Sequence, residues 1–84
     1  MAKSFNVSIM APDHPVYEAR ASSLVAPSEL GYLGVLADHA PLVANLALGK
    51  ITLREESGRS VVLNSTATGF LEVLRNNVTI LLNK

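Results

Sequence analysis

The chain contains no cysteine, which removes disulfides, thiol nucleophiles and thiolate metal sites from consideration. Tryptophan is absent, and the aromatic content stops at two Phe and two Tyr. Charge is sparse and balanced, with seven basic residues against seven acidic ones, and Lys and Arg form no stripe. So few rings to stack on bases, and no basic patch, argue against nucleic-acid binding. Long hydrophobic runs are missing too. Uncharged stretches such as Ser60 to Leu71 reach only about half the length of a membrane-spanning helix and carry polar residues. The opening Met1-Ala2-Lys3-Ser4 leads into an alternating segment and not into a secretory apolar core. The reading is of a protein not itself embedded in a membrane.

What the chain does have is apolar side chains. Of its 84 residues 49% are hydrophobic and only 17% charged, which is greasy for one small domain spanning residues 1–84. A domain of this size buries only roughly 60–65% of its unfolded surface. Part of the apolar content must therefore lie outside, and a partner surface is the economical explanation.

Phe5, Val7 and Ile9 alternate with Ser4, Asn6 and Ser8, the period of a half-buried strand. Ala11-Pro12-Asp13-His14-Pro15 breaks it. Val16 to Arg20 and Ser22 to Ala26 read as strand pieces with a bulge or bend between them. Gly31 and Gly34 bracket Tyr32 and Leu33, so a tight reversal is expected there. Gly34 to Leu36 and Leu42 to Leu46 flank a second reversal at Ala37-Asp38-His39-Ala40-Pro41, where Pro41 bars helix. Lys50 to Arg54 and Arg59 to Leu63 face each other across Glu55-Glu56-Ser57-Gly58. Thr68 to Leu74 and Val78 to Leu82 form a last hairpin around Arg75-Asn76-Asn77, where Asn tolerates left-handed geometry. Every window of helical length contains a breaker. The pattern predicts an all-β fold, a small two-sheet β-sandwich of about eight to ten short strands, with Val7, Leu24, Leu53, Leu63, Val73 and Ile80 in its core. In the last hairpin Leu71 and Val73 point one way and Phe70 and Leu74 the other, while Val78, Ile80 and Leu82 oppose Thr79 and Leu81, so both faces carry apolar residues.

Constellations for chemistry are thin. Asp13-His14 and Asp38-His39 could in principle ligate zinc or work as acid and base, but each pair sits beside proline in a turn. Asp favours such turns because its side chain bonds nearby backbone N–H groups, so the structural reading is preferred. Gly49-Lys50-Ile51-Thr52 lacks the upstream glycine, the hydroxyl residue after Lys and the following helix of a phosphate-binding loop. Asn6, Asn64 and Asn77 begin Asn-x-Ser/Thr triplets, which carry no weight without a secretory signal. No catalytic residue, cofactor or metal is expected.

The order Gly31, Leu33-Gly34-Val35, His39-Ala40-Pro41-Leu42 and Gly49-Lys50-Ile51, followed by Gly69-Phe70-Leu71-Glu72-Val73 and Asn77-Val78-Thr79-Ile80-Leu81, resembles the amino-terminal β-sandwich of the epsilon subunit of rotary ATP synthases. The resemblance covers nearly the whole chain. It implies a non-catalytic rotor subunit of the central stalk, peripheral to the membrane at the cytoplasmic face of a bacterial inner membrane or the stromal face of a plastid one. Its partners would be the gamma subunit and the c-subunit ring, joined so that proton translocation couples to ATP synthesis. It places the ring contact on Gly31, Tyr32, Leu33, Asp38 and His39, in loops at one end of the sandwich. The gamma contact would use apolar sandwich surface, for which Phe70, Leu74 and Leu81 are the candidates. Many members of that family carry an acidic residue where this chain has Tyr32, which shifts the expected contact toward aromatic burial. Members usually continue into a carboxy-terminal helical hairpin that regulates rotation, and with the sequence ending at Lys84 the expectation is a subunit used for coupling alone. The competing class is a free-standing β-sandwich that binds a ligand or protein on its loops or edges, separable by whether gamma and the ring copurify with it.

Overall fold

A computed structural model describes residues 3–83. Eight strands account for the secondary structure, and no helix forms among the described residues. They are β1 (Phe5–Ala11), β2 (His14–Ser28), β3 (Gly31–Leu36), β4 (Leu42–Leu46), β5 (Gly49–Glu55), β6 (Ser60–Ser65), β7 (Gly69–Leu74) and β8 (Asn77–Leu82). One face of the sandwich is β1-β8-β7-β4, and the other is β3-β2-β5-β6. The long strand β2 serves both, pairing with β1 through residues 14–21 and with β3 through residues 23–28. β1 also runs parallel to β8, with Val7 beside Val78 and Ile9 beside Ile80. The first and last strands therefore close the structure. The all-β sandwich is as expected, with eight strands.

The expected break in the second strand is a bulge within one continuous element. Ala21 pairs with Glu55 and Ser23 with Arg54, leaving Ser22 as the extra residue. Side chains alternate along a strand, so one inserted residue flips every later one to the opposite face. Before the bulge Tyr17, Ala19 and Ala21 face inward; after it Leu24 and Ala26 do. The insertion thus keeps apolar residues inside as β2 passes from one sheet to the other.

The core is built from Phe5, Val7 and Ile9 of β1, Ala21, Leu24 and Ala26 of β2, Val35 of β3, Leu46 of β4, Ile51 and Leu53 of β5, and the inward residues of β7 and β8. Val7, Leu24, Leu53, Val73 and Ile80 are buried as expected. Leu63 is half-buried, because β6 is an edge strand with β5 on one side only. Of the other polar residues, Ser65 lies inside and donates its hydroxyl to the Ala67 carbonyl at 2.9 Å, so it is not left unsatisfied.

Candidate functional site

The first reversal falls earlier than the glycines suggest. Glu29 and Leu30 form a two-residue hairpin loop between Ser28 and Gly31, and Gly31 and Gly34 both lie within β3. Gly31 takes φ +116°, which glycine alone adopts cheaply, and so supplies the exit from the turn. Ser28 fixes the entry: its hydroxyl donates to the Gly31 carbonyl at 2.6 Å and accepts from the Leu30 N–H at 3.3 Å. Gly34 needs no special geometry, and a Cβ there would meet nothing closer than the Leu24 carbonyl oxygen at 3.9 Å.

This hairpin holds Leu30 wholly in solvent, with a relative exposure of 100%. Beside it opens a groove of about 460 Å³, walled by Leu30, Tyr32 and Leu33 on one side and by Leu42, Val43 and Ala44 on the other. Tyr32 is 62% exposed and Val43 69%. The Tyr32 ring lies toward Pro27 and Gly49, and its hydroxyl accepts the Lys50 N–H at 3.4 Å. It is thus anchored at its polar tip while its ring remains open to a partner.

Gly31, Tyr32 and Leu33 do not converge with Asp38 and His39. The strand β3 separates them, and at about 3.3 Å per residue its ends lie roughly 17 Å apart. The two loops therefore sit at opposite ends of β3 and not at one end of the sandwich, which corrects the expectation. Asp38 is already committed. Its carboxylate accepts from Lys3 Nζ at 2.6 Å and from Asn76 Nδ2 at 3.0 Å, and its backbone N–H donates to Asn76 Oδ1 at 2.6 Å. Hydrogen bonding to Lys3, then to Asn76, holds the Asp38 carboxyl below its ordinary value. The His39 Nδ1 lies 2.7 Å from the Ala40 carbonyl, a bond within its own turn.

Asp13 and His14 are neighbours in the β1–β2 turn, with Asp13 Oδ1 2.6 Å from His14 Nδ1. That bond lowers the Asp13 carboxyl, and among the described residues no three His, Asp or Glu side chains gather around a common point. The acidic and basic groups are instead spent on structure. Arg20 donates to Ser4 and Asn6, and Ser4 donates to Glu56 at 2.7 Å.

On the opposite sheet, cross-strand register aligns Asn45, Phe70, Leu81 and Met10 in one row on the outer face. The structure therefore brings Phe70 and Leu81 side by side. Leu74 shares their face but lies at the far end of β7, beside Asn77. Asn45 also links this row to the hairpin tip, its carbonyl accepting the Glu29 N–H at 3.3 Å. Leu30 and Val43 were missed by sequence reasoning. Leu30 follows Ser28-Glu29 without periodic signal, and Val43 reads equally well as inward or outward on a short strand.

The model of the ATP synthase delta/epsilon chain β-sandwich domain matches residues 4–84. Similar proteins include the ATP synthase epsilon chain of Leptospira borgpetersenii serovar Hardjo-bovis, 40% identical over 80 residues, covering 95% of this chain and 61% of the relative. That of Anoxybacillus flavithermus is 43% identical over 79 residues, covering 94% of this chain and 58% of the relative. The chain thus spans about 60% of the length of these relatives. Among solved structures, a chain in the Euglena gracilis mitochondrial ATP synthase, in an assembly of OSCP, F1 and c-ring, superposes with a TM-score of 0.87 at 22% identity, covering 96% of this chain and 51% of that one. A chain of the Tetrahymena thermophila mitochondrial ATP synthase central stalk and c-ring gives 0.76 at 19% identity, covering 98% and 65%. At those identities the likeness is one of fold.

Proposed function

Because the chain belongs to the ATP synthase delta/epsilon β-sandwich family, we propose that it works as a non-catalytic piece of a rotary ATP synthase's central stalk, joining gamma to the c-ring so that proton flow couples to ATP synthesis. On this reading it is peripheral to the membrane, on the cytoplasmic or stromal side. Among the described residues no helix is long and apolar enough to cross a membrane. The observation that carries the reading is the β2–β3 tip, where Leu30 stands fully exposed above an apolar groove. Among the described residues eleven large apolar side chains are exposed, more than isolated surface hydrophobics require, and several fall in contiguous rows.

We place the ring contact at Leu30, Gly31, Tyr32 and Leu33. Asp38 and His39 stand outside it, because their polar atoms are engaged locally and β3 holds them away from the tip. The gamma contact falls on the Phe70–Leu81 row with Met10, and Leu74 at its margin. A partner loop that covers an apolar side chain such as Leu30 gains roughly 1.5–3 kcal/mol, while Glu29 and Asn45 at the rim set register.

Disulfide crosslinking in assembled membranes tests the placement. Leu30→Cys or Tyr32→Cys is paired with a cysteine in the polar loop of the c subunit, and Ser57→Cys in the β5–β6 loop serves as control. The tip variants should crosslink on oxidation and the control should not. Equal crosslinking at Ser57, or crosslinking from His39→Cys in preference to the tip, would overturn the assignment.

A further inference from the structure

The strand β3 carries the tip residues yet is secured by a ladder on one side only, to β2. Its first residue is fixed by the Glu29-Leu30 hairpin. Its last residue, Leu36, enters the loop 37–41 that crosses to β4 in the other sheet. An edge strand of six residues frays from its ends unless something holds them.

What holds the far end is a pair of residues distant in sequence. Asp38 takes φ 63° and Asn76 φ 60°, left-handed conformations uncommon for any residue but glycine. Each side chain is bound to the other turn. The Asp38 N–H donates to Asn76 Oδ1 at 2.6 Å, and Asn76 Nδ2 returns a bond to Asp38 Oδ1 at 3.0 Å. The other Asp38 oxygen accepts from Lys3 at 2.6 Å, and the Asn76 carbonyl accepts the Asn6 N–H at 2.9 Å. The β3–β4 crossing, the β7–β8 turn and the entry to β1 are therefore tied at one point. Glycine would satisfy the backbone at either position, but at 76 it would remove both bonds and at 38 the one that the carboxylate accepts.

We propose that the Asp38–Asn76 pair is a latch that fixes the end of β3 against the β7–β8 turn, making Asn76 a positioning residue for the contact edge of β3. The contact itself rests on the ring-facing reading above. The latch acts on the strand, which can be measured without any partner.

Residue-resolved amide hydrogen exchange on the full chain is the test. Asn76→Asp removes the Nδ2 donor and sets two carboxylates side by side, so exchange at the Asp38 and Val35 amides should rise about tenfold, the worth of about one net hydrogen bond. Exchange at Leu53 and Ile80, in the core, should not change. The double variant Asp38→Asn with Asn76→Asp rebuilds the side-chain bond with donor and acceptor exchanged and keeps an oxygen at position 76 for the backbone N–H of residue 38, and should restore the original rates. Asn76→Gly keeps the turn and guards against a folding failure; it should loosen the same two amides while the melting temperature holds. Unchanged rates in both single variants, a rise spread evenly over the chain, or no rescue in the double variant would overturn the latch. In assembled membranes, Asn76→Gly should also lower the crosslinking yield from Leu30→Cys. If Leu30→Cys fails to crosslink with Asn76 in place, the ring assignment fails, and the exchange pattern still decides the latch.

Discussion

Replacing Gly69 by alanine should be the most damaging single-methyl change in the molecule. Gly69 begins β7 between Leu46 of β4 and Leu82 of β8, and is buried. A Cβ there would lie 1.8 Å from the Leu81 carbonyl oxygen, 2.9 Å from its carbonyl carbon and 3.1 Å from Leu82 Cα. All three are backbone atoms, so no side chain can swing aside. Clearing the contact needs a retreat of over an ångström by one strand, which disrupts the Gly69–Leu82 pairing and the neighbouring bond from the Asn83 N–H to the Thr68 carbonyl. Overpacking costs about 1–3 kcal/mol, and one or two lost ladder bonds add about 1 kcal/mol each. A loss of about 3 kcal/mol is a large share of the roughly 4–13 kcal/mol available to a chain of 84 residues. Urea denaturation followed by far-UV circular dichroism reads it directly. Gly49→Ala should fall between the extremes: φ is +150°, and the new methyl meets a movable Tyr32 hydroxyl at 2.8 Å but also the Pro27 ring at 3.1 and 3.2 Å. Gly34→Ala, with open space and ordinary backbone, should change stability by less than about 0.5 kcal/mol. A cost below about 1 kcal/mol for Gly69→Ala, or a larger cost at Gly34, would refute the packing argument.

Leu24→Ala, at the centre of the core, should cost about 2–5 kcal/mol, whereas Leu63→Ala on the half-covered edge strand β6 should cost about 1–2 kcal/mol. Equal urea midpoints would contradict that ranking. Alkaline stability should depend on Tyr17, whose hydroxyl is half-buried and donates to the Glu55 carboxylate. Burial first, and that carboxylate second, push its pKa from 10.0 up to about 12. A folded-state pKa above the unfolded one gives stability that is complete below pH 10 and lost as pH rises through about 12. Melting temperatures of the parent chain should therefore drop across that window, and Tyr17→Phe should flatten the drop.

Much of this was written locally. Alternation in Phe5–Ala11, the glycine in the β5–β6 loop and the asparagines before Val78 place strands and turns because each depends on near neighbours. The β7–β8 turn takes positive φ at both Arg75 and Asn76, the twist a two-residue hairpin favours. The β2–β3 reversal was misread because two glycines drew the turn toward themselves, while the deciding groups were the Ser28 hydroxyl and the single positive φ at Gly31. The opposite placement of the Tyr32 and His39 loops follows from that shift: once Gly31 to Leu36 is a strand, its ends cannot meet. The apolar excess outside was legible from composition, but not that its peak would be Leu30. The bonds joining Asp38 to Lys3 and Asn76 span 35 and 38 positions, and no local pattern marks them.

The parallel pairing of β1 with β8 has a consequence for how the molecule is made. The strand that seals one flank of β1 leaves the ribosome long after β1 itself, since Asn6 pairs with Asn77 and Met10 with Leu81. At about 5–20 residues per second, the seventy-odd residues between them take roughly 4–15 s to synthesise. During that interval β1 has only β2 as a neighbour, and its other row of amide and carbonyl groups waits open beside Phe5, Val7 and Ile9. Closure cannot begin at the start of the chain and spread forward; it must come as a late event that joins distant segments, which makes folding slow for so small a domain. An unpaired strand edge in a partly made chain is prone to aggregate, and a pause in translation before Asn77 would lengthen its exposure.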